Sequence, residues 1–142
     1  MARPLAETRG LFLTFSCSES TQVLGDFSSL RRMLWVLLDN ALKYTDPPGR
    51  IEVMLSMISG QVSVMVRDSG IGIAPTDLPY IFDRFYRADP SRSQVEGTGL
   101  GLAIAKWIAE IHRADISVTS EECKGTIFRV VFPLSEALAL SN

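Results

Sequence analysis

The sequence predicts an α/β sandwich, with helices covering one face of a mixed sheet. Three observations carry that expectation. A long amphipathic helix pattern follows a strand. Two pairs of β-prone runs read as hairpins. Glycine clusters stand where a strand pattern ends and where the last helix pattern begins. At 142 residues the chain is the size of one domain and long enough to bury a core without staples.

Residues 11–17, LFLTFSC, are β-prone and read as a strand ended by the polar SESTQ. Asp26 is a good N-cap, and Phe27, Leu30, Leu34, Leu37, Leu38 and Ala41 give the next stretch helical spacing as far as Tyr44. Asp46-Pro-Pro-Gly49 stops it. Residues 51–58 and 61–67 read as strands joined by a tight Ser59-Gly60 turn. A short helix is expected over 75–82, opened by Pro75 and interrupted by Pro79. Residues 83–96 are polar and aperiodic and read as a mobile loop. Helix resumes from Gly97, with Leu100, Ile104, Trp107, Ile108 and Ile111 on one stripe. Residues 115–120 and 126–132 read as two more strands. No helical pattern is evident over residues 1–25. Residues 1–10 are taken as an N-terminal extension, 11–134 as the functional domain and 135–142 as a tail.

Composition narrows the function. Fourteen basic and sixteen acidic residues give a net charge of −2, which excludes a generally basic nucleic-acid binder. With 46% hydrophobic and 21% charged residues, the chain is ordinarily globular. Cys17 and Cys123 form no C-x-x-C pair, so a reducing, cytoplasmic setting is expected. A single histidine, His112, excludes a His-rich metal cluster. The longest apolar run, Met33–Leu38, is far short of the roughly 20 residues that span a bilayer, so no direct membrane contact is expected from this chain.

Three segments could carry chemistry. On the first helix, Asn40 and Val36 lie nearly in line, with Lys43 and Tyr44 just beyond, about a quarter-turn from the apolar stripe. An amide oxygen there can ligate Mg²⁺ and an ammonium can neutralise phosphate; the alternative is a helix edge that simply meets water. Asp68-Ser-Gly70-Ile-Gly72-Ile follows a strand. Its glycines allow close approach to a flat ligand, and its carboxylate can accept from the exocyclic amine of a base; the alternative is a plain turn. Gly97-Thr-Gly99-Leu-Gly101-Leu opens the last helix, where free N–H groups make an anion site. It is neither a P-loop nor a Rossmann fingerprint, because Leu102 stands at the third Rossmann glycine. Close packing is the competing reading, though glycine costs a helix about 1 kcal/mol against alanine. The loop between the clusters carries Arg84, Arg87 and Arg92, which suit a cationic lid or solvated local pairs with Asp83 and Asp89.

Together these segments resemble the catalytic, ATP-binding domain of two-component sensor histidine kinases, in the superfamily shared with DNA gyrase and the mismatch-repair ATPases. LLDNALKYT (37–45) is similar to the asparagine box, DSGIGI (68–73) to the first glycine box, IFDRFYRAD (81–89) to the phenylalanine box, GTGLGLAIAK (97–106) to the second glycine box, and GTIFRVVFPL (125–134) to the closing strand. The resemblance runs from about Gly25 to Leu134. It implies an α+β, Bergerat-type fold, a two-layer sandwich whose mixed, mostly antiparallel sheet is covered on one face by helices.

The resemblance also implies a ligand and roles. Asp68 would take the adenine amino group, with Gly70, Ile71, Gly72 and Ile73 along the wall. Tyr44 would pack near base or sugar. Asn40 would hold Mg²⁺ and Lys43 would contact phosphate. Residues 83–96 would form an ATP lid, with Arg84 and Tyr86 beside the nucleotide and Arg87 on the γ-phosphate. Gly97, Thr98, Gly99, Leu100, Gly101 and Leu102 would offer backbone to the phosphates. Asn40, Lys43 and Arg87 would be the catalytic set. The reaction implied is transfer of the γ-phosphoryl group of Mg-ATP to a histidine on a separate dimerisation domain of the parent kinase, with a response regulator downstream. The resemblance implies a cytoplasmic domain and is compatible with a membrane anchor elsewhere in the parent kinase.

Three positions depart from the family pattern. Val36 stands where sensor kinases carry a polar residue and hydrolytic relatives a glutamate; valine cannot activate water, so weak hydrolysis is expected. His112-Arg113-Ala114 replaces His-Gly-Gly, and Cys123 replaces a glycine before the closing strand. The last two bear on stability more than on chemistry. Val36 also keeps open a second reading, a degenerate nucleotide-binding or partner-docking module. His112 is read as structural, not as the phosphoacceptor.

Overall fold

The computed structural model describes residues 2–17, 25–84, 86 and 100–133. In chain order they form α1 (Ala2–Thr8), β1 (Leu11–Cys17), α2 (Phe27–Tyr44), β2 (Gly49–Ile58), β3 (Gln61–Asp68), a 3₁₀ turn (Leu78–Tyr80), α3 (Gly101–Ile111), β4 (Asp115–Glu121) and β5 (Gly125–Val131). The strands make one sheet in the order β1-β2-β3-β5-β4. β1 and β2 are parallel, as the helical crossover through α2 requires, and every other pair is antiparallel.

Strand alternation decides which face is covered. Leu13, Val53, Val66 and Phe128 point inward and are buried. They meet Met33, Leu37, Ala41 and Leu42 of α2, and Ala105, Ile108 and Ala109 of α3. Arg67 and Arg129, on the opposite face, are exposed. The expected two-layer α+β sandwich is therefore what forms, with the mixed, mostly antiparallel sheet covered on one side.

The long helix begins where its sequence places it. Asp26 accepts hydrogen bonds from the Ser29 N–H (2.9 Å) and the Ser29 hydroxyl (2.7 Å). Those bonds, the hydroxyl first, hold the Asp26 carboxyl below its ordinary range. His112, at the end of α3, ties the two helices together. Its Nδ1 donates to the Ile108 carbonyl (2.8 Å), which leaves Nε2 to accept from the Asp26 N–H (3.1 Å). A structural His112 is thus what the fold contains. Arg113 takes the left-handed conformation, φ 57°, that glycine usually fills after a helix. Ala114 N–H returns to Ala109 O and Arg113 N–H to Glu110 O, closing the cap without glycine.

Two expectations need correction. Residues 2–8 are helical, although the sequence shows no helical pattern before residue 25. Their order comes from tertiary contact. Ala6 is fully buried, α1 packs on β1, and Arg9 Nη1 donates to the Leu42 carbonyl at the end of α2 (3.1 Å). The helix expected over 75–82 contracts to the single turn Leu78–Tyr80. Residues 87–99, with most of the lid and the first two glycines of the second cluster, lie outside the described residues. No described helix is long and apolar enough to cross a membrane.

Candidate functional site

The site begins at the end of β3. Asp68 pairs across the sheet with Ile51 and Thr126, which points its carboxylate to the covered side. Only 6% of the residue is exposed. Gly70 N–H donates to Oδ1 at 2.9 Å, and the Thr126 main chain beside it also favours the charged carboxylate. Burial outweighs both and pushes the carboxyl from an ordinary 3.8 up to about 6. A buried acceptor that lacks an ion-pair partner among the described residues suits a ligand that brings its own donor.

The glycine loop after Asp68 is stitched on both sides. Ile71 N–H donates to the Tyr44 carbonyl (3.1 Å), and the Ile71 carbonyl accepts from Cys123 N–H (2.8 Å). A Cβ on Gly70 would stand 2.2 Å from Tyr44 O, and one on Gly72 would stand 2.2 Å from Glu121 O. Gly72 also has φ 74°. These two glycines are therefore demanded by the protein's own backbone, not simply by a flat ligand. The β4–β5 turn closes the far side. Ile73 N–H donates to Ser120 Oγ (2.7 Å), and Ser120 Oγ donates to Gly125 O (2.9 Å) and meets Thr126 Oγ1 at 2.8 Å. Gly125, φ 126°, lies so close that a Cβ would stand 2.0 Å from Asp68 O. Cys123 holds φ 67° in this turn.

α2 supplies the second wall. Asn40, Lys43 and Tyr44 are half-buried along the edge expected for them. Lys43 is not a free ammonium, because its Nζ is 3.0 Å from Asp39 Oδ2 one turn earlier. Val36 faces the start of α3: a Cβ on Gly101 would lie 3.5 Å from Val36 Cγ1, an ordinary contact. From Val36 to Tyr44 is eight residues, about 12 Å of helix. α2 thus joins the Asp68 loop at its C-terminal end to the N-terminus of α3 two turns back. Leu100 and Leu102 flank Gly101 and are half-buried there.

The remaining predicted residues divide. Ile73 is half-buried and belongs to the Ser120 network. Tyr86 donates its hydroxyl to Asp77 and tilts against Tyr80, centroids 5.7 Å apart; the Asp77 bond raises its phenol above the ordinary value. Arg84 is exposed. Phe82 of the phenylalanine box packs edge-on against Phe128, 6.1 Å between centroids, with Lys106 Nζ over its ring. Arg87, Gly97, Thr98 and Gly99 lie outside the described residues.

Sequence reading missed Ser120, Thr126, Gly125 and the Asp39–Lys43 pair. Two signals could have found some of them. Ser120 is a polar residue at an inward position of an alternating strand, and Asp39 and Lys43 have helical i, i+4 spacing.

A mixed sheet with a buried carboxylate, a clamped glycine loop and a glycine-opened helix defines a class of nucleotide-site fold. Residues 25–136 match the family described as histidine kinase-, DNA gyrase B- and HSP90-like ATPase, and the chain belongs to that family. Within it, the similar proteins are sensor histidine kinases. The sensor histidine kinase CusS of Escherichia coli O157:H7 is 48% identical over 130 residues, covering 91% of this chain and 27% of that protein. The mycobacterial sensor histidine kinase MprB superposes with a TM-score of 0.82 at 32% identity, over 92% of this chain and 89% of that one. ShkA, solved full-length in complex with AMPPNP, gives a TM-score of 0.80 at 30% identity, over 92% of this chain and 27% of that one. The chain thus spans about a quarter of the length of its curated relative, and corresponds to the catalytic, ATP-binding domain of a two-component sensor kinase.

Proposed function

We propose that this domain binds Mg-ATP and transfers its γ-phosphoryl group to a histidine on a separate helical domain of a parent sensor kinase, from which a response regulator is charged. The observation that carries the reading is the buried Asp68 carboxylate, joined through the clamped glycine loop to the end of α2. Asp68 accepts from the adenine amino group. Tyr44 flanks base or sugar. The triphosphate runs back along α2 toward the α3 N-terminus, where Leu100, Gly101 and Leu102 offer main-chain N–H groups that no earlier turn uses. Lys43 trades Asp39 for phosphate, and Arg87 reaches the γ-phosphate.

The donor set fits a metal carried in by the nucleotide. Among the described residues no group of three His, Cys, Asp or Glu could cage an ion. Asn40 offers one neutral oxygen and Val36 none. Mg²⁺ keeps several waters and takes phosphate oxygens, so one protein ligand suffices. The ion would neutralise charge on the phosphates. The protein's own part is to hold the nucleotide in line and leave water without a base, since Val36 cannot accept a proton.

The reading is tested by mixing the chain with Mg-ATP and the histidine-bearing helical domain of the parent, then assaying acid-labile phosphohistidine. Transfer is expected, with little steady hydrolysis by the chain alone. Arg87→Ala is expected to slow transfer while leaving ADP affinity unchanged. Bound ATP with no transfer would leave only a binding module. Equal loss of ADP and ATP affinity in the Arg87 variant would remove its lid role.

A further inference from the structure

We propose that the flank of α2 turned away from the nucleotide side is a docking site for an acidic amphipathic helix of a partner protein. Arg31 and Asn40 are nine residues apart, which is 900° of helix and so opposite faces, while Arg32 lies between them, 100° round from Arg31, at the rim of the slot. On the Arg31 side lies an open cavity of about 480 Å³. Its floor is Leu34 and Leu38, and its walls are Phe27, Trp35, Arg31 and Arg32. Phe27 is 77% exposed, although it opens a helix whose other apolar residues are largely covered.

The charge on this flank selects the occupant. Arg31 and Arg32 are both exposed, and among the described residues neither has a carboxylate within ion-pair distance. Among the described residues no acidic side chain lines the cavity. The nearest acids on α2 are committed elsewhere: Asp26 accepts from Ser29, and Asp39 holds Lys43. Both arginines also sit in the half of α2 nearest the positive end of its dipole. A chain of net charge −2 therefore presents one electropositive flank with an aromatic, leucine-floored slot. Aromatic side chains and arginine are the residue types that anchor protein interfaces. An apolar ridge at i, i+3, i+4, i+7 would fill the slot, and carboxylates beside it would meet the two guanidinium groups. Docking there leaves the Asn40 edge free, so partner and nucleotide can be held together.

The test titrates the isotope-labelled full chain with a helical peptide about five turns long, bearing leucines on one face and glutamates on both flanks. The same peptide with lysine for each glutamate is the control. Shifts are expected on Phe27, Arg31, Trp35 and their neighbours, with the glutamate peptide bound about tenfold tighter than the lysine one. The double variant Arg31→Glu, Arg32→Glu is expected to reverse that preference, and Phe27→Ser to weaken both peptides. All three positions are exposed, and unchanged ADP affinity in each variant confirms that the fold and nucleotide site survive. Absent shifts on this flank, equal binding of the two peptides, or no reversal would overturn the proposal. Sedimentation showing self-association through the same flank would overturn it too, by making a second copy the occupant.

Discussion

The two glycine clusters look alike in sequence and are different in physics. Gly70 and Gly72 sit where any side chain would strike main chain, the carbonyls of Tyr44 and Glu121. Gly101 sits where a Cβ would make only an ordinary contact with Val36, and its φ is not left-handed. The first cluster is glycine because the protein must close on itself. For the second, packing supplies no such demand at Gly101, and the open space there agrees with the proposed approach of a nucleotide to the α3 N-terminus. A glycine motif therefore locates a site without saying whether protein or ligand fills the missing space.

The largest effect should come from breaking the first cluster. Gly72→Ala forces a Cβ into Glu121 O at a positive φ, and should cost about 3 kcal/mol or more in urea unfolding and abolish nucleotide binding. Next comes Asp68→Asn, which separates site from scaffold. The folded-state value of about 6 exceeds the ordinary 3.8, so this group's contribution to stability is complete below pH 3.8 and is lost as pH rises through 6. The nucleotide-free variant should therefore be about 1–2 kcal/mol more stable than the parent chain at pH 7.5, with no gain at pH 3.5. Calorimetry should show its ADP binding weakened by about 1–3 kcal/mol. In the parent chain, ADP affinity should fall as pH drops below 6. A variant that binds ADP normally would remove Asp68 from the adenine site.

Smaller effects sharpen the contrast. Gly101→Ala should raise the melting temperature, with a gain of up to about 1 kcal/mol, while weakening ATP more than adenosine. Loss of stability there would show that Gly101, like Gly72, is held by packing. Arg113→Gly should stabilise the chain by about 1 kcal/mol, read from denaturant midpoints, and leave nucleotide affinity untouched.

Much of this was legible because periodicity reports burial. The α2 stripe, its Asp26 cap and the Ser59-Gly60 hairpin follow directly from spacing. α1 was hidden because seven residues containing Pro4 show no stripe; only its docking on β1 and the Arg9–Leu42 bond order it. Strand order was hidden for another reason. Alternation tells which face of β5 is apolar, not that β5 inserts between β3 and β4. At the site, Asp68 and the glycines stood out by residue type. The carbonyls of Tyr44 and Glu121, which explain the glycines, belong to residues whose side chains say nothing about them.

Ile71 is held from two sides. Its peptide groups are pinned at both edges, by the α2 terminus on one side and by the Cys123 turn on the other. Two hydrogen bonds through one residue give the end of the long helix a direct main-chain link to the turn between the last two strands, so the strap couples the two rims of the cleft.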